Sequence, residues 1–141
     1  YDNHDLRNVS VIQDYNGKTA AFDAFYSCTL VTCRQNDEVH SVTLKRPFAK
    51  LCFSAQLSKQ LNVKYSAPTT LNLIDGQVSG VRDVEYTVQP GEASVEAFDY
   101  VFAKDGIAQM NYTFKLGEEE ARTTSVPVAR NTITNIIYNT N

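Results

Sequence analysis

The stretch Ala108-Gln109-Met110-Asn111-Tyr112-Thr113-Phe114-Lys115-Leu116 decides the fold. From Gln109 onward polar and apolar side chains alternate without a fault. A period of two places Met110, Tyr112, Phe114 and Leu116 on one face and the polar set on the other, the signature of a half-buried strand. Ala97–Lys104 reads as the strand before it, and Asp105-Gly106 as a two-residue hairpin turn between the two. Type I′ turns need positive φ at both central positions, which Asp and Gly tolerate. After it, Gly117-Glu118-Glu119-Glu120 turns the chain into a third strand, Arg122–Ala129. The expectation is an antiparallel meander from Ala97 to Ala129. Pro127 removes one ladder donor, so its strand belongs at a sheet edge or carries a bulge.

The N-terminal half is less regular but still β in character. Val39–Leu44 alternates, with Val42 and Leu44 on one side and His40 on their parity. Phe48–Phe53 follows a break at Pro47. Phe22–Val31 is apolar on both parities, which fits a strand covered on both faces or a short helical start. Asn62–Ser66, Thr70–Ile74 and Val81–Gln89 are further short strands, separated by Ala67-Pro68 and Asp75-Gly76. The one helix candidate is Ser54–Leu61, with Ser54 as N-cap and Leu57 and Leu61 one turn apart. Many short strands with regular turns point to a sandwich or a barrel.

Composition agrees. Val, Ile, Thr, Tyr and Phe together supply 48 of 141 residues. Branched and aromatic side chains fit a pleated surface better than a helix. With 43% hydrophobic residues, one well-filled core is feasible at this length. No linker or fixed-period repeat divides residues 1–141, so a single domain is expected. A net charge of −3 argues against a phosphate-tracking nucleic-acid binder, which needs a basic stripe. The longest apolar run, Tyr100–Ala103, falls far short of the roughly 20 residues of a membrane helix. Nothing at Tyr1 resembles a signal peptide.

Residues suited to chemistry are few. Cys28, Cys33 and Cys52 form no C-x-x-C pair, and His4 and His40 form no H-x-x-x-H, so standard zinc spacings are absent. In one extended strand Cys28 and Cys33 would stand about 16 Å apart, whereas a disulfide needs Cα atoms about 5.5 Å apart. That pair therefore requires a tight reversal, and three thiols leave at least one unpaired in a monomer. Small buried hydrophobes is the plainer reading of these thiols. No nucleophile elbow, papain-type cysteine signature or H-E-x-x-H occurs. A hydrolase would need His40 as its base, yet its parity with Val42 and Leu44 suggests a partly buried structural histidine. Glu118-Glu119-Glu120 follows a glycine between strands and reads as a solvated turn. Lys45-Arg46-Pro47-Phe48-Ala49-Lys50 pairs charge with an aromatic but is too short for a nucleic-acid surface. Asn8-Val9-Ser10 and Asn111-Tyr112-Thr113 match the glycosylation acceptor pattern, which recurs by chance. The expectation is no enzyme, no catalytic residue, no metal and no cofactor.

Four stretches nevertheless resemble a known family. Val42-Thr43-Leu44-Lys45-Arg46-Pro47-Phe48-Ala49-Lys50-Leu51 is similar to the V-x-L-x-R-P-x-A-x-L signature of Bacteroides-type fimbrillins. Leu71-Asn72-Leu73-Ile74-Asp75-Gly76-Gln77-Val78 resembles that family's F-N-x-x-D-G-x-V segment. Met110-Asn111-Tyr112, and Val126-Pro127-Val128-Ala129-Arg130-Asn131 with Thr134-Asn135-Ile136, resemble its M-N-Y and V-P-V-x-R-N-x-x-T-N-I stretches. The matches keep the family's order over about two-thirds of the chain. Leu71 stands where the family often has an aromatic, and Tyr138 where it has glycine.

The resemblance implies an all-β, transthyretin-like β-sandwich with Greek-key links and at most one short helix. It also implies a cell-surface fimbrial (pilus) subunit or adhesin, exported as an outer-membrane lipoprotein whose lipid anchor lies outside this chain. Such subunits bind one another by β-strand exchange, and longer relatives carry a second sandwich domain. In that setting Arg46 and Arg130 would orient strand ends. A sandwich lacking an edge strand offers open backbone and an apolar groove to another chain. The alternative expectation is a non-polymerising surface module that binds host glycan or protein through loops at Ser66–Thr69 and Gln89–Ala93.

Overall fold

The computed structural model describes residues 7–10, 24–32, 39–91 and 95–139. They form ten strands and, among the described residues, no helix. In chain order these are β1 (Asn8–Ser10), β2 (Phe48–Gln56), β3 (Leu61–Ala67), β4 (Thr70–Asn72), β5 (Val78–Ser79), β6 (Arg82–Val88), β7 (Val95–Phe102), β8 (Ala108–Leu116), β9 (Arg122–Val128) and β10 (Thr132–Asn139). A four-stranded antiparallel sheet, ordered β6-β3-β8-β9, faces a three-stranded sheet ordered β10-β2-β7. In the second sheet β7 runs antiparallel to β2, while β10 runs parallel to it from Thr132↔Ala49 to Asn139↔Gln56. A small sheet, β1-β4-β5, packs through Leu71 on the face of β2 and β7 that is turned away from the four-stranded sheet. Between the two large sheets the chain crosses at β2–β3, β6–β7, β7–β8 and β9–β10, so strands not adjacent in sequence pair within each sheet. The fold is an all-β sandwich.

Alternation builds both cores. On β8, Met110, Tyr112, Phe114 and Leu116 are buried, as their parity requires. They meet Leu61, Val63 and Tyr65 of β3 and Leu51, Phe53 and Ala55 of β2 in one cluster between the large sheets. Tyr65 stacks on Tyr112 with centroids 4.6 Å apart, and Phe53 on Phe114 at 5.8 Å. The opposite parity of β2 and β7 makes a second core: Phe48, Tyr100 and Phe102 pack on Leu71 of β4. Each fully buried large apolar side chain contributes about 1.5–3 kcal/mol. The β2–β7 layer is thus buried on both faces near this end, which explains the apolar run Tyr100–Ala103.

Three local expectations are corrected. Asp105-Gly106 does not close a β7–β8 hairpin: β7 pairs with β2, and β8 pairs with β3 and β9. Gly106 has φ +80°, but Asp105 does not reach positive φ, so a type I′ turn is not formed and the chain arches from sheet to sheet. Only the β8–β9 part of the meander stands, with Pro127 on the outer strand of its sheet.

Ser54–Leu61 is not a helix. Ser54–Gln56 finish β2, and the burial of Leu51, Phe53, Ala55 and Leu57 continues the strand's period of two to its end. Burying that face outweighs an N-cap and one Leu–Leu pair in a segment too short to be stable alone.

The segments 24–31 and 39–44 are not strands. Among the described residues a single bridge, Tyr26–Lys45, ties the first to the residue that follows the second, with Val42 and Leu44 exposed. Alternating side chains do not make a strand without a neighbour for the backbone groups. The start of the predicted Phe22–Val31 strand lies outside the described residues.

Candidate functional site

The motif stretches converge at one end of the sandwich. In the β4–β5 turn the Asn72 Oδ1 atom accepts the amides of Ile74 (2.9 Å) and Asp75 (3.3 Å), and Asp75 Oδ1 accepts that of Gln77 at 2.9 Å. These side-chain turns fix Gly76 at φ +71° and aim its carbonyl at Arg130. Arg130 donates from Nη2 to that oxygen, from Nε to Ala103 O (2.6 Å), and from Nη1 to Asp105 Oδ1 (2.7 Å) and Tyr26 Oη (3.4 Å). One guanidinium therefore ties the β9–β10 corner to the β7–β8 arch, the β4–β5 turn and the Tyr26 segment. Next to it, Asn131 at φ +56° accepts Arg46 Nη1 at 3.0 Å and donates its amide to Phe48 O at 2.8 Å. Arg46 also lies over the Phe25 ring, 4.6 Å from its centroid. Both arginines hold strand ends.

The four-stranded sheet splits near this end. Pairing of β3 with β8 stops at Tyr65↔Tyr112. Yet β3 continues with β6 to Ala67↔Arg82, and β8 with β9 to Ala108↔Val128. The two halves part between Ser66-Ala67 and Ala108–Asn111, opening a groove of about 790 Å³. Val84, Val101, Met110 and Val128 line it from within the core, and Lys64, Asp83, Glu85 and Asn111 from the rim. Lys64 pairs with Glu85 at 3.0 Å, and the Asn62 and Lys64 hydrogen bonds hold the Glu85 carboxyl below its usual range. Among the described residues β6, β7, β9 and β10 are outer strands of the large sheets, and β10 points Ile133 and Ile137 outward.

A buried ion pair spans the two sheets at the β6 and β7 edges. Asp99 lies on the inward parity of β7, opposite Leu51. Its Oδ2 accepts Arg82 Nη2 at 2.5 Å and Tyr65 Oη at 2.7 Å. Arg82 Nη2 also donates to Tyr100 O at 3.3 Å. Among the described residues Asp99 Oδ1 and Arg82 Nε and Nη1 find no hydrogen-bond partner. Burial pushes the Asp99 carboxyl above its ordinary range, and the Arg82 charge and the Tyr65 hydrogen bond only partly offset this. Sequence reading did not single out Asp99. The signal was a lone acid at inward parity within Phe98-Asp99-Tyr100.

The remaining candidates are dispersed. His40 is exposed, against the expectation of partial burial, and lines neither this groove nor the smaller hollow beside Arg130. Cys28 is exposed and Cys52 half-buried, so the reading of the thiols as buried hydrophobes fails for Cys28; Cys33 and His4 lie outside the described residues. Glu118–Glu120 sit exposed after Gly117, with Glu119 3.3 Å from Lys59. Of the basic segment, Lys50 packs over Phe98 at 4.6 Å. Among the described residues no group of three His, Cys, Asp or Glu could hold a metal ion, and no helix is long and apolar enough to cross a membrane. Of the loops proposed for ligand binding, Ser66 donates to Asp83 Oδ1 at 2.6 Å and Thr69 donates its amide to Ser79 O at 3.1 Å; Glu92 and Ala93 lie outside the described residues.

Comparison with known proteins adds one match: a model described as a family of unknown function (DUF6562) fits residues 1–139. No curated protein and no solved structure matches the chain.

Proposed function

The chain belongs to this family of unknown function (DUF6562), and we propose that it is a non-catalytic structural subunit of a cell-surface fimbria, or a fimbrillin-like adhesin, that joins its neighbours by β-strand exchange. The observation carrying this reading is the split between β3 and β8. Strand edges flank an opening onto apolar core there, and extended peptide is the ligand whose backbone matches strand edges while its alternate side chains reach apolar floor. The resemblance to fimbrillin motifs supports the same reading, as does the use of Arg46 and Arg130 as strand-end ties. On it, the partners are further subunits of the same fibre, held at the outer membrane by an anchor elsewhere in the polypeptide.

The test uses the purified chain before and after limited proteolysis, examined by electron microscopy and by SDS-resistant laddering. Ser66→Arg and Ala108→Arg fill the mouth of the groove from exposed and half-exposed positions. Filaments or ladders that both variants abolish support the proposal. A strict monomer under all processing, or oligomers indifferent to both variants, overturns it.

A further inference from the structure

A second hollow, of about 330 Å³, lies where the Tyr26–Lys45 bridge meets the β4–β5 turn and Asp105. It shares no lining residue with the groove between β3 and β8. Hydroxyl groups dominate it among the described residues: Ser27, Thr29, Ser41 and Thr43 line one side, with Tyr26 beside them. Ser41, Thr43 and Lys45 are spaced two apart, so an extended backbone puts them on one side.

The charges in the hollow are largely satisfied from within. Arg130 is held by Asp105 at 2.7 Å and donates further to Ala103 O, Gly76 O and Tyr26 Oη. Asp75 Oδ1 is occupied by the amide of Gln77. Among the described residues two cations, Lys45 and Arg130, are matched by two carboxylates, Asp75 and Asp105, so these side chains exert no net pull on an ion of either sign. An apolar guest would strip the hydroxyls of water without replacing their hydrogen bonds. A guest carrying its own hydroxyls can donate to the carboxylates and exchange hydrogen bonds with the serines and threonines. Leu73 and Ile74 add an apolar strip, Ile74 being 63% exposed, against which the C–H face of a sugar ring can lie. The volume stands at the lower end of the range for small-ligand sites, room for one ring.

We propose that this hollow binds a single neutral saccharide unit, with Thr43, Lys45, Asp75 and Asp105 addressing its hydroxyls and Ile74 its apolar face. The assignment is independent of strand exchange. A ligand of about twelve non-hydrogen atoms at ordinary efficiency binds with a dissociation constant on the order of millimolar.

The experiment is amide-shift mapping by NMR on the full chain. The probes are glucose, galactose, mannose and N-acetylglucosamine, with glucuronate and free glutamate as charged comparisons. The expected result is saturable shifts at Tyr26, Thr43, Ile74 and Asp105 with at least one neutral sugar. The Ser41→Ala/Thr43→Val double variant should weaken that sugar roughly five-fold, the loss of one or two hydrogen bonds, while its remaining spectrum stays unchanged. Ile74→Asp, also at an exposed position, should weaken it as well. No shift up to about 50 mM, far above the expected range, overturns the assignment. So does tighter binding of glucuronate or glutamate, or full affinity in both variants.

Discussion

Arg130 donates from Nη2 to the carbonyl oxygen of Gly76, 54 residues earlier in the chain. The same guanidinium reaches Ala103 O and Asp105, so three loops from different parts of the sequence depend on one planar fork of donors. Its side chain is only 14% exposed, which makes these charge-assisted bonds hard for water to replace. Arg130→Ala is expected to lower unfolding stability by about 3 kcal/mol, the scale of one or two hydrogen bonds to a charged group. Arg130→Lys should recover less than half of that loss, because an ammonium is a point donor that cannot address the separate acceptors. Urea unfolding of both variants decides the matter; a lysine variant as stable as the parent would show that charge alone suffices.

Gly76 is coupled to the same contact. Its φ of +71° suits glycine, and a Cβ there would stand 3.2 Å from Arg130 Nη1. The backbone term alone costs about 1–2 kcal/mol for an alanine in the left-handed region. Gly76→Ala should cost more than that in the parent and fall back to it when Arg130 is already alanine. A double-mutant cycle reads the difference directly. Strict additivity would show that Arg130 yields freely to the methyl group.

The sequence made the alternating strands legible and left their partners hidden. Gln109–Leu116 declared its inward face because each residue's parity decided its burial. Asp105-Gly106, by contrast, carried a hairpin signal that the structure does not use. Pairing of β7 with β2 is set by burial on both faces of Tyr100–Phe102, a non-local fact that no turn dipeptide reports. Val39–Leu44 failed for the same reason in reverse: its pattern was right for a strand, but among the described residues the bridge to Tyr26 is made by Lys45, just past its end. The site followed suit. Arg46 and Arg130 were visible through their motif stretches, whereas the β3–β8 split depends on where two ladders stop.

The segment 39–44 gives a direct contrast in stability. Leu44 is 63% exposed, while Leu51, seven positions on, is 2% exposed in the main core. Leu44→Ser should change unfolding stability by no more than about 0.5 kcal/mol, as expected for a surface position. Leu51→Ala should cost about 2–5 kcal/mol through lost transfer energy and the cavity left behind. Thermal and urea unfolding of the two variants side by side test the assignment of residues 39–44 to the surface. A Leu44→Ser loss comparable to that of Leu51→Ala would place this segment in the core instead.

Asp99 carries the pH prediction. Burial holds its carboxyl above the ordinary value of 3.8, despite Arg82 at 2.5 Å and Tyr65 at 2.7 Å. As pH falls through that raised value, the folded state takes up a proton that the unfolded chain, titrating near 3.9, does not yet bind. The contribution of this group to stability therefore grows on acidification. It is complete below the unfolded value and is lost as pH rises through the folded one. Asp99→Asn cannot titrate and stands in for the protonated carboxyl, so the gap, parent stability minus variant stability, isolates this group. The gap between parent and variant should then be wider at pH 4 than at pH 7, other carboxylates cancelling in the difference. Removing both charges with Asp99→Leu and Arg82→Met should be neutral or stabilising by up to about 4 kcal/mol, since neither partner is left stranded. A gap that narrows toward pH 4, together with a double variant as unstable as Asp99→Asn, would mean that the pair contributes net stability as an ion pair and that its burial is not costly.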